Sequence, residues 1–267
     1  MANAEITGWG YQLGGDIKTT QDFIDEHGVQ TTSQDTYELT GIRERSVCAE
    51  GEDGVTLSVA AGQLALERAE VEPGDIDMLI LATTTNKWRV PGMSADVQYE
   101  LGMGDTPAFD LNAGCSGAGY ALYVAAGLIQ SGLNKRVMVM ATDTITAITD
   151  YNRKDSVLFA DASGAVVVEA SDRDCGLLGS YLIARGQDRP SLYCELGGKL
   201  QMKGHEVFKK AVRLIPEIGN AALERAGLDV SQVDLLIPHQ ANARITDAGA
   251  VALGFKDGAK DKRVANY

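Results

Sequence analysis

Leu66-Glu-Arg-Ala-Glu-Val-Glu-Pro-Gly-Asp-Ile-Asp-Met-Leu-Ile80 returns 157 residues later as Leu223-Glu-Arg-Ala-Gly-Leu-Asp-Val-Ser-Gln-Val-Asp-Leu-Leu-Ile237. Seven of the fifteen positions are identical, and most others exchange apolar for apolar or acidic for acidic. Each copy reads as the end of a helix, a short turn and the start of a buried strand. Helix–turn–strand units share a grammar, so one match can arise by coincidence. The shared Leu-Glu-Arg-Ala and the equal turn length make duplication the better reading. The expected fold is α/β, with two similar halves that each carry a sheet.

Working outward, helical and strand periodicities alternate. Val55–Glu70 has apolar residues at helical spacing. Ile76–Thr83 reads as a buried strand, Pro91–Leu101 as a helix with proline at its start, and Thr106–Asn112 as a strand. Gly117–Gln130 is an Ala-rich helix and Arg136–Thr142 another buried strand. Val157–Ala160, Gly164–Ala170 and Leu177–Ala184 read as further strands, with Asp161 and Gly164 suited to a tight turn between the first two. His205–Ala226 is a long helix, Val233–Ile237 a strand and Gln240–Leu253 a helix. Near-continuous apolar strands flanked by helices imply sheets covered on both faces. Gly186–Lys199 reads as a linker. The boundary is therefore set at 185/186, giving halves 1–185 and 186–267. Shifting Tyr267 back by the repeat offset lands on Asp110, so the second copy is expected to stop before its later strands.

The 267 residues suffice for a buried core, and a 45% hydrophobic, 23% charged composition excludes disorder. The balance of 37 acidic against 24 basic residues, net −13, disfavours nonspecific nucleic-acid binding. Four scattered cysteines without a CxxC pair, and three histidines, disfavour a zinc site or a disulfide framework. No stretch approaches a membrane span and no basic apolar leader opens the chain, so the expected location is the cytoplasm. The charge is uneven: residues 1–194 carry −15, residues 195–267 carry +2.

Two residues stand out chemically. Cys115 lies in Phe109-Asp-Leu-Asn-Ala-Gly-Cys-Ser-Gly-Ala-Gly-Tyr120, strand-like before the sulfur and helical after it. Small neighbours allow a sharp bend and close approach of a substrate. An isolated cysteine reads as a small packed apolar residue. At the start of a helix the dipole favours the thiolate, which predicts a lowered pKa and a nucleophile. His239, in Leu235-Leu-Ile-Pro-His-Gln-Ala-Asn242, follows one expected strand and precedes a helix, where α/β sheets place functional loops. It suits hydrogen-bond donation to a forming negative charge, or a base. Alone it would read as a capping or packed histidine. In the repeat frame it matches Ala82, at the end of the equivalent strand. His27, His205, Cys48, Cys175 and Cys194 receive no role.

Together with Thr40-Gly-Ile-Arg-Glu-Arg45, Leu81-Ala-Thr-Thr-Thr85, Leu158-Phe-Ala-Asp-Ala-Ser-Gly-Ala165 and Gly204-His-Glu-Val-Phe-Lys209, these motifs resemble the thiolase superfamily. Within it they resemble the 3-oxoacyl-[acyl-carrier-protein] synthase III enzymes. The resemblance implies a doubled, layered α/β/α/β/α fold. It also implies decarboxylative condensation of an acyl-CoA primer with malonyl-ACP (ACP, acyl carrier protein) through an acyl-Cys115 thioester, with His239 stabilising the enolate. It implies no metal and no redox cofactor, and a homodimer. Lys209, Asn242 and Arg244 would bind the CoA or carrier-borne arm, and the basic last third would receive the acidic carrier protein.

The family's catalytic asparagine sits in a Gly-Asn-Thr-Ser motif shortly after the histidine. This sequence ends at Val264-Ala-Asn-Tyr267 where that motif would begin, and Asn266 lacks its neighbours. Leu39 stands where an arginine commonly precedes Thr-Gly-Ile-Arg. Alternative readings are a condensing enzyme of secondary metabolism and a truncated, inactive homologue that binds CoA or ACP. A cysteine hydrolase is a further alternative, since Ala113-Gly-Cys-Ser-Gly117 loosely resembles a nucleophile elbow. The repeat and the His-Gln-Ala-Asn motif argue against the last.

Overall fold

The computed structural model describes residues 2–255. In chain order the elements are β1 (Asn3–Leu13), β2 (Asp16–Thr19), α1 (Thr20–His27), α2 (Ser33–Thr40), β3 (Glu44–Val47), α3 (Gly54–Ala69), β4 (Met78–Ala82), α4 (Met93–Glu100), β5 (Ala108–Leu111), α5 (Gly117–Gln130), β6 (Arg136–Thr144), β7 (Asp161–Ser171), β8 (Leu192–Tyr193), β9 (Gln201–Met202), α6 (Gly204–Ala226) and α7 (Ala243–Leu253).

The chain forms two compact units interleaved in sequence. One takes the described part of Met1–Ile17, with Ser46–Ala147 and Ala160–Leu177. The other takes Lys18–Arg45, Ile148–Phe159 and the described part of Leu178–Tyr267. The boundary expected at 185/186 rests on the repeat and the linker in the sequence, whereas these units are defined by packing.

The first unit is built on a five-stranded sheet in the order β1-β7-β6-β4-β5. β4 pairs in parallel with β5 and β6, while β7 runs antiparallel to β6 and β1. The strands alternate between two cores. Leu79 and Leu81 of β4 join Met138 and Met140 of β6 beneath α3 and α4. Ile80 and Ala82 join Val137 and Val139 beneath α5. Burial of these near-continuous apolar runs on both faces is the expected α/β layering.

β1 was not legible as a strand because its burial is inverted. Gly8 and Gly10 face α3, while Trp9, Tyr11 and Leu13 are exposed. A Cβ at Gly8 would sit 2.2 Å from the Ala65 carbonyl oxygen, and one at Gly10 2.2 Å from that of Ala61. The helix lies against bare backbone, so a larger residue could not face it.

In the second unit α6 and α7 pack through glycine. A Cβ at Gly249 would meet Ile215 at 2.4 Å, and one at Gly219 would meet Leu253 at 2.7 Å. Ala250, Leu253 and Phe255 form a small core with Val230, Val233 and Leu236.

The repeat recurs as backbone geometry. α3 ends at Glu70 and α6 at Gly227, both left-handed, with φ 55° and 68°. Val71 N–H donates to the Leu66 carbonyl at 3.1 Å, and Leu228 N–H to that of Leu223 at 3.0 Å. A 3-10 turn follows in each copy, Pro73–Asp75 and Val230–Gln232.

Four expectations are corrected. Val157–Ala160 is no strand: Ser156–Leu158 is a 3-10 turn, and the Val157 carbonyl accepts from Arg45. The turn expected at Asp161 and Gly164 lies earlier, because both residues sit inside β7 and Gly164 is in register with Ala141 of β6. Leu177–Ala184 and Val233–Ile237 form no ladder, apart from an isolated bridge at Leu236. A strand exists only through a continuous ladder, and neither stretch forms one among the described residues. Finally, Gly186–Lys199 is no simple linker. It contains a 3-10 turn (Gly186–Ser191) and β8, which pairs with β9. Ser191 donates to Glu206 at 2.8 Å and accepts from Lys210 at 2.6 Å, which ties the turn to α6.

Candidate active site

The parallel strands β4, β5 and β6 deliver their carboxyl ends to one edge of the first unit's sheet, and the turn holding Cys115 follows β5. Gly114–Ser116 is a 3-10 turn leading directly into α5. Gly114 has φ 57°, the left-handed region that glycine enters without a Cβ penalty, and its N–H donates to Asn112 Oδ1 at 3.3 Å. Gly117 lets the helix start close to β4: a Cβ there would lie 2.9 Å from the Ala82 Cβ. No side chain caps this N-terminus. Of its first amides, that of Ser116 donates to the Ala113 carbonyl at 3.2 Å and that of Gly117 to the Gly114 carbonyl.

Cys115 reaches solvent at its surface. Burial nevertheless raises its thiol pKa, and the Asp143 carboxylate raises it further. The backbone amide of Cys115 pulls the other way and is outweighed. The lowered pKa expected from the helix dipole is therefore corrected: the desolvated sulfur beside an acid rests as a thiol. Cys48 is more extreme. Burial, then Asp161, Glu52 and Asp53, push it up to about 12, in keeping with the absence of a role.

Asp143 itself was not singled out in the sequence. Its Oδ1 accepts from the Thr84 N–H at 2.7 Å and from the hydroxyls of Thr84 at 2.8 Å, Thr85 at 3.3 Å and Thr83 at 3.4 Å. The available signal was that the two neighbouring parallel strands carry a matched Ala-Thr, at Ala82-Thr83 and Ala141-Thr142, the second directly before Asp143. Deeper in the same unit, Asp161 is fully buried. It accepts from the Cys48 N–H at 2.9 Å and from Thr146, whose N–H lies at 3.0 Å and hydroxyl at 2.5 Å. That places the Phe-Ala-Asp-Ala-Ser-Gly motif as a hub for three chain segments.

In the second unit, His239 follows Pro238 and precedes α7. Its ring is open to solvent on one side, yet burial of the remainder lowers its pKa, so the neutral imidazole dominates at pH 7. Asn242 is the N-cap of α7. Its Oδ1 accepts from the Arg244 N–H at 2.8 Å, and its Nδ2 donates to the Leu39 carbonyl at 3.1 Å. Both ends of that amide are thus engaged. Arg244, in the first turn of α7, and Lys209, in the first half of α6, are exposed. His27 stacks on Tyr151 with ring centroids 4.0 Å apart, a packing role.

Cys115 thus belongs to the first unit, with Asp143. His239, Asn242, Arg244 and Lys209 belong to the second. Asn266 lies outside the described residues. Among the described residues, no three His, Cys, Asp or Glu side chains gather as metal ligands, and no helix is long and apolar enough to cross a membrane.

The sequence profile of 3-oxoacyl-[acyl-carrier-protein (ACP)] synthase III matches residues 109–186, the stretch from β5 past β7. The beta-ketoacyl-[acyl-carrier-protein] synthase III of Rhizobium meliloti (strain 1021) is 38% identical over 268 residues, 96% of this chain and 82% of that protein. The crystal structure of 3-oxoacyl-[acyl-carrier-protein] synthase III from Aquifex aeolicus VF5 superposes with a TM-score of 0.94 at 35% identity. It covers 98% of this chain and 84% of that one. The priming beta-ketosynthase of the R1128 polyketide pathway superposes with a TM-score of 0.88 at 31% identity, covering 99% and 83%.

Proposed function

The chain belongs to the 3-oxoacyl-[acyl-carrier-protein] synthase III family, with its thiolase-like α/β fold, and from that membership we propose that it carries out the priming condensation of fatty-acid synthesis. The observation that carries this reading is Cys115, on a glycine-flanked turn at an uncapped helix N-terminus.

The Cys115 sulfur attacks the thioester carbonyl of acyl-CoA. CoA departs as the thiol with the cysteine proton, leaving acyl-Cys115. Malonyl-ACP then loses CO2. His239, neutral and donating an N–H, stabilises the enolate oxygen. The carbanion attacks the acyl-Cys115 carbonyl, the Cys115 N–H helps hold the oxyanion, and its collapse releases 3-oxoacyl-ACP and the Cys115 thiolate, which takes a proton from water to restore the thiol. The substrates bring their own thioester activation, so the scheme uses no cofactor and no metal.

Lys209 and Arg244 receive the CoA or carrier-borne arm, with Asn242 shaping the turn that presents Arg244. The same reading includes the doubled organisation (1–185 and 186–267), a cytoplasmic location and a homodimer. β5 is a sheet edge with Phe109 exposed, and Tyr123 of α5 is exposed as well. An unpaired edge with apolar neighbours is suited to pairing with its twofold copy. A second reading, priming of a secondary-metabolite pathway, is favoured by the 31% identity to the R1128 ketosynthase.

The experiment is incubation with radiolabelled acetyl-CoA and longer acyl-CoAs, followed by malonyl-ACP. Label on Cys115 and release of 3-oxoacyl-ACP are expected, with both lost in Cys115→Ala. Equal labelling of Cys115→Ala would remove the nucleophile assignment. Label without condensation would leave an acyl-binding homologue. Preference for a long or branched primer would favour the second reading.

A further inference from the structure

A single carboxylate oxygen on β6 gathers three consecutive threonines. Beyond the four bonds to Asp143 Oδ1, the Thr85 N–H donates to the Thr83 hydroxyl at 3.1 Å, and the Thr85 hydroxyl accepts from the Thr144 N–H at 2.8 Å. The turn after β4 is thereby closed onto the end of β6. Thr83 is buried, and its N–H donates to the Leu111 carbonyl of β5 at 3.1 Å, so all three parallel strands are stitched together here. Ala82, directly before this turn, is the residue that Gly117 abuts, two positions after Cys115.

We propose that Asp143 is a positioning residue for acyl transfer: bonded to Thr83, Thr84 and Thr85, it fixes the turn that follows Ala82, against which the helix start after Cys115 packs, and sets the charge that the sulfur meets. The proposal rests on Cys115 being the nucleophile. Of the elements around the sulfur in its own unit, the turn after β4 contributes uncharged threonines. The first turn of α5 contributes Gly117, Ala118 and Gly119, with Tyr120 beyond them. On β5, Asp110 is committed to α4, accepting from the Met93 and Ser94 amides at 2.8 Å each. That leaves Asp143 as the carboxylate acting on the thiol, in line with the direction in which it moves.

A negative charge beside the nucleophile holds the proton on sulfur in the resting enzyme. The thiol proton then leaves with the departing CoA sulfur, and an idle thiolate is not exposed to oxidants.

The test is the pH profile of Cys115 alkylation by iodoacetamide in the full chain, read by quantifying the modified peptide. Asp143→Asn keeps the shape and an acceptor oxygen but removes the charge. Its profile midpoint falls, and its rate at pH 7 rises about threefold or more, equivalent to half a pKa unit. Asp143→Glu keeps the charge and stays near the wild-type midpoint. Asp143→Ala also lowers the kcat of acyl transfer while the KM for acyl-CoA changes less. If the amide variant fails to fold, Asp143→Ser gives the same alkylation reading. A midpoint unchanged in folded Asp143→Asn overturns the proposal. Acyl-CoA labelling decides the nucleophile separately, so the two failures are distinguishable.

Discussion

Two cysteines of one unit show how little residue type says about reactivity. Cys115 and Cys48 are both shifted upward, by burial first and carboxylates second. Cys48 goes to about 12 because Asp161, Glu52 and Asp53 all oppose its ionisation, whereas Asp143 alone opposes Cys115. Thiolate fraction controls alkylation. At pH 7.5 iodoacetamide is therefore expected to modify Cys115 well before Cys48, with peptide mapping as the measurement. Preferential modification of Cys48 would contradict these environments. The pH sign follows: acylation of Cys115 should keep rising with pH past the ordinary cysteine value, since the raised pKa keeps the thiol protonated over a wider range. Asn242 carries a similar lesson. Its motif position suggested ligand contact, and its amide also caps α7 and reaches Leu39.

At the scale of elements, the duplicated helix end offers an internal comparison. The residue closing α6 is Gly227, free to adopt a positive φ, while Glu70 closes α3 at φ 55°. A Cβ in the left-handed region costs roughly 1 kcal/mol. Glu70→Gly should therefore stabilise the protein by about 0.5–1 kcal/mol, measured as a higher midpoint of urea unfolding. A lower midpoint would mean that the Glu70 side chain contributes more than its backbone costs. The helix–turn geometry was legible in the sequence because its hydrogen bonds close within five residues. Strand pairing was not. Val233–Ile237 carries the same apolar pattern as Ile76–Ile80 but has no ladder, and Leu235 and Ile237 are exposed. β1 was illegible for a different reason: its buried face is glycine, dictated by the closeness of α3.

For the whole molecule, the charge division matters most. An acidic chain of net −13 repels an acidic carrier protein unless a local surface is basic, and residues 195–267 carry +2. Lys209 and Arg244 stand exposed on α6 and α7. Charge reversal of both, Lys209→Glu with Arg244→Glu, should raise the KM for malonyl-ACP about tenfold, or 1.4 kcal/mol, at low salt. The difference should shrink as ionic strength rises. Steady-state kinetics at two salt concentrations would check this, and an unchanged KM would remove the docking surface.

Sequence alone determined the features that depend on neighbouring residues: the repeated helix–turn–strand unit, the bend at Cys115, and the motifs that mark the family. Tertiary structure alone decided which apolar stretches became paired strands and that the Asp143 carboxylate acts on Cys115. It also decided that the Cys115 thiol is pushed up rather than down. The division follows from range. Turns and caps are closed by hydrogen bonds a few residues long, whereas strand pairing, desolvation and the field of a distant carboxylate arise only once remote segments have been brought together.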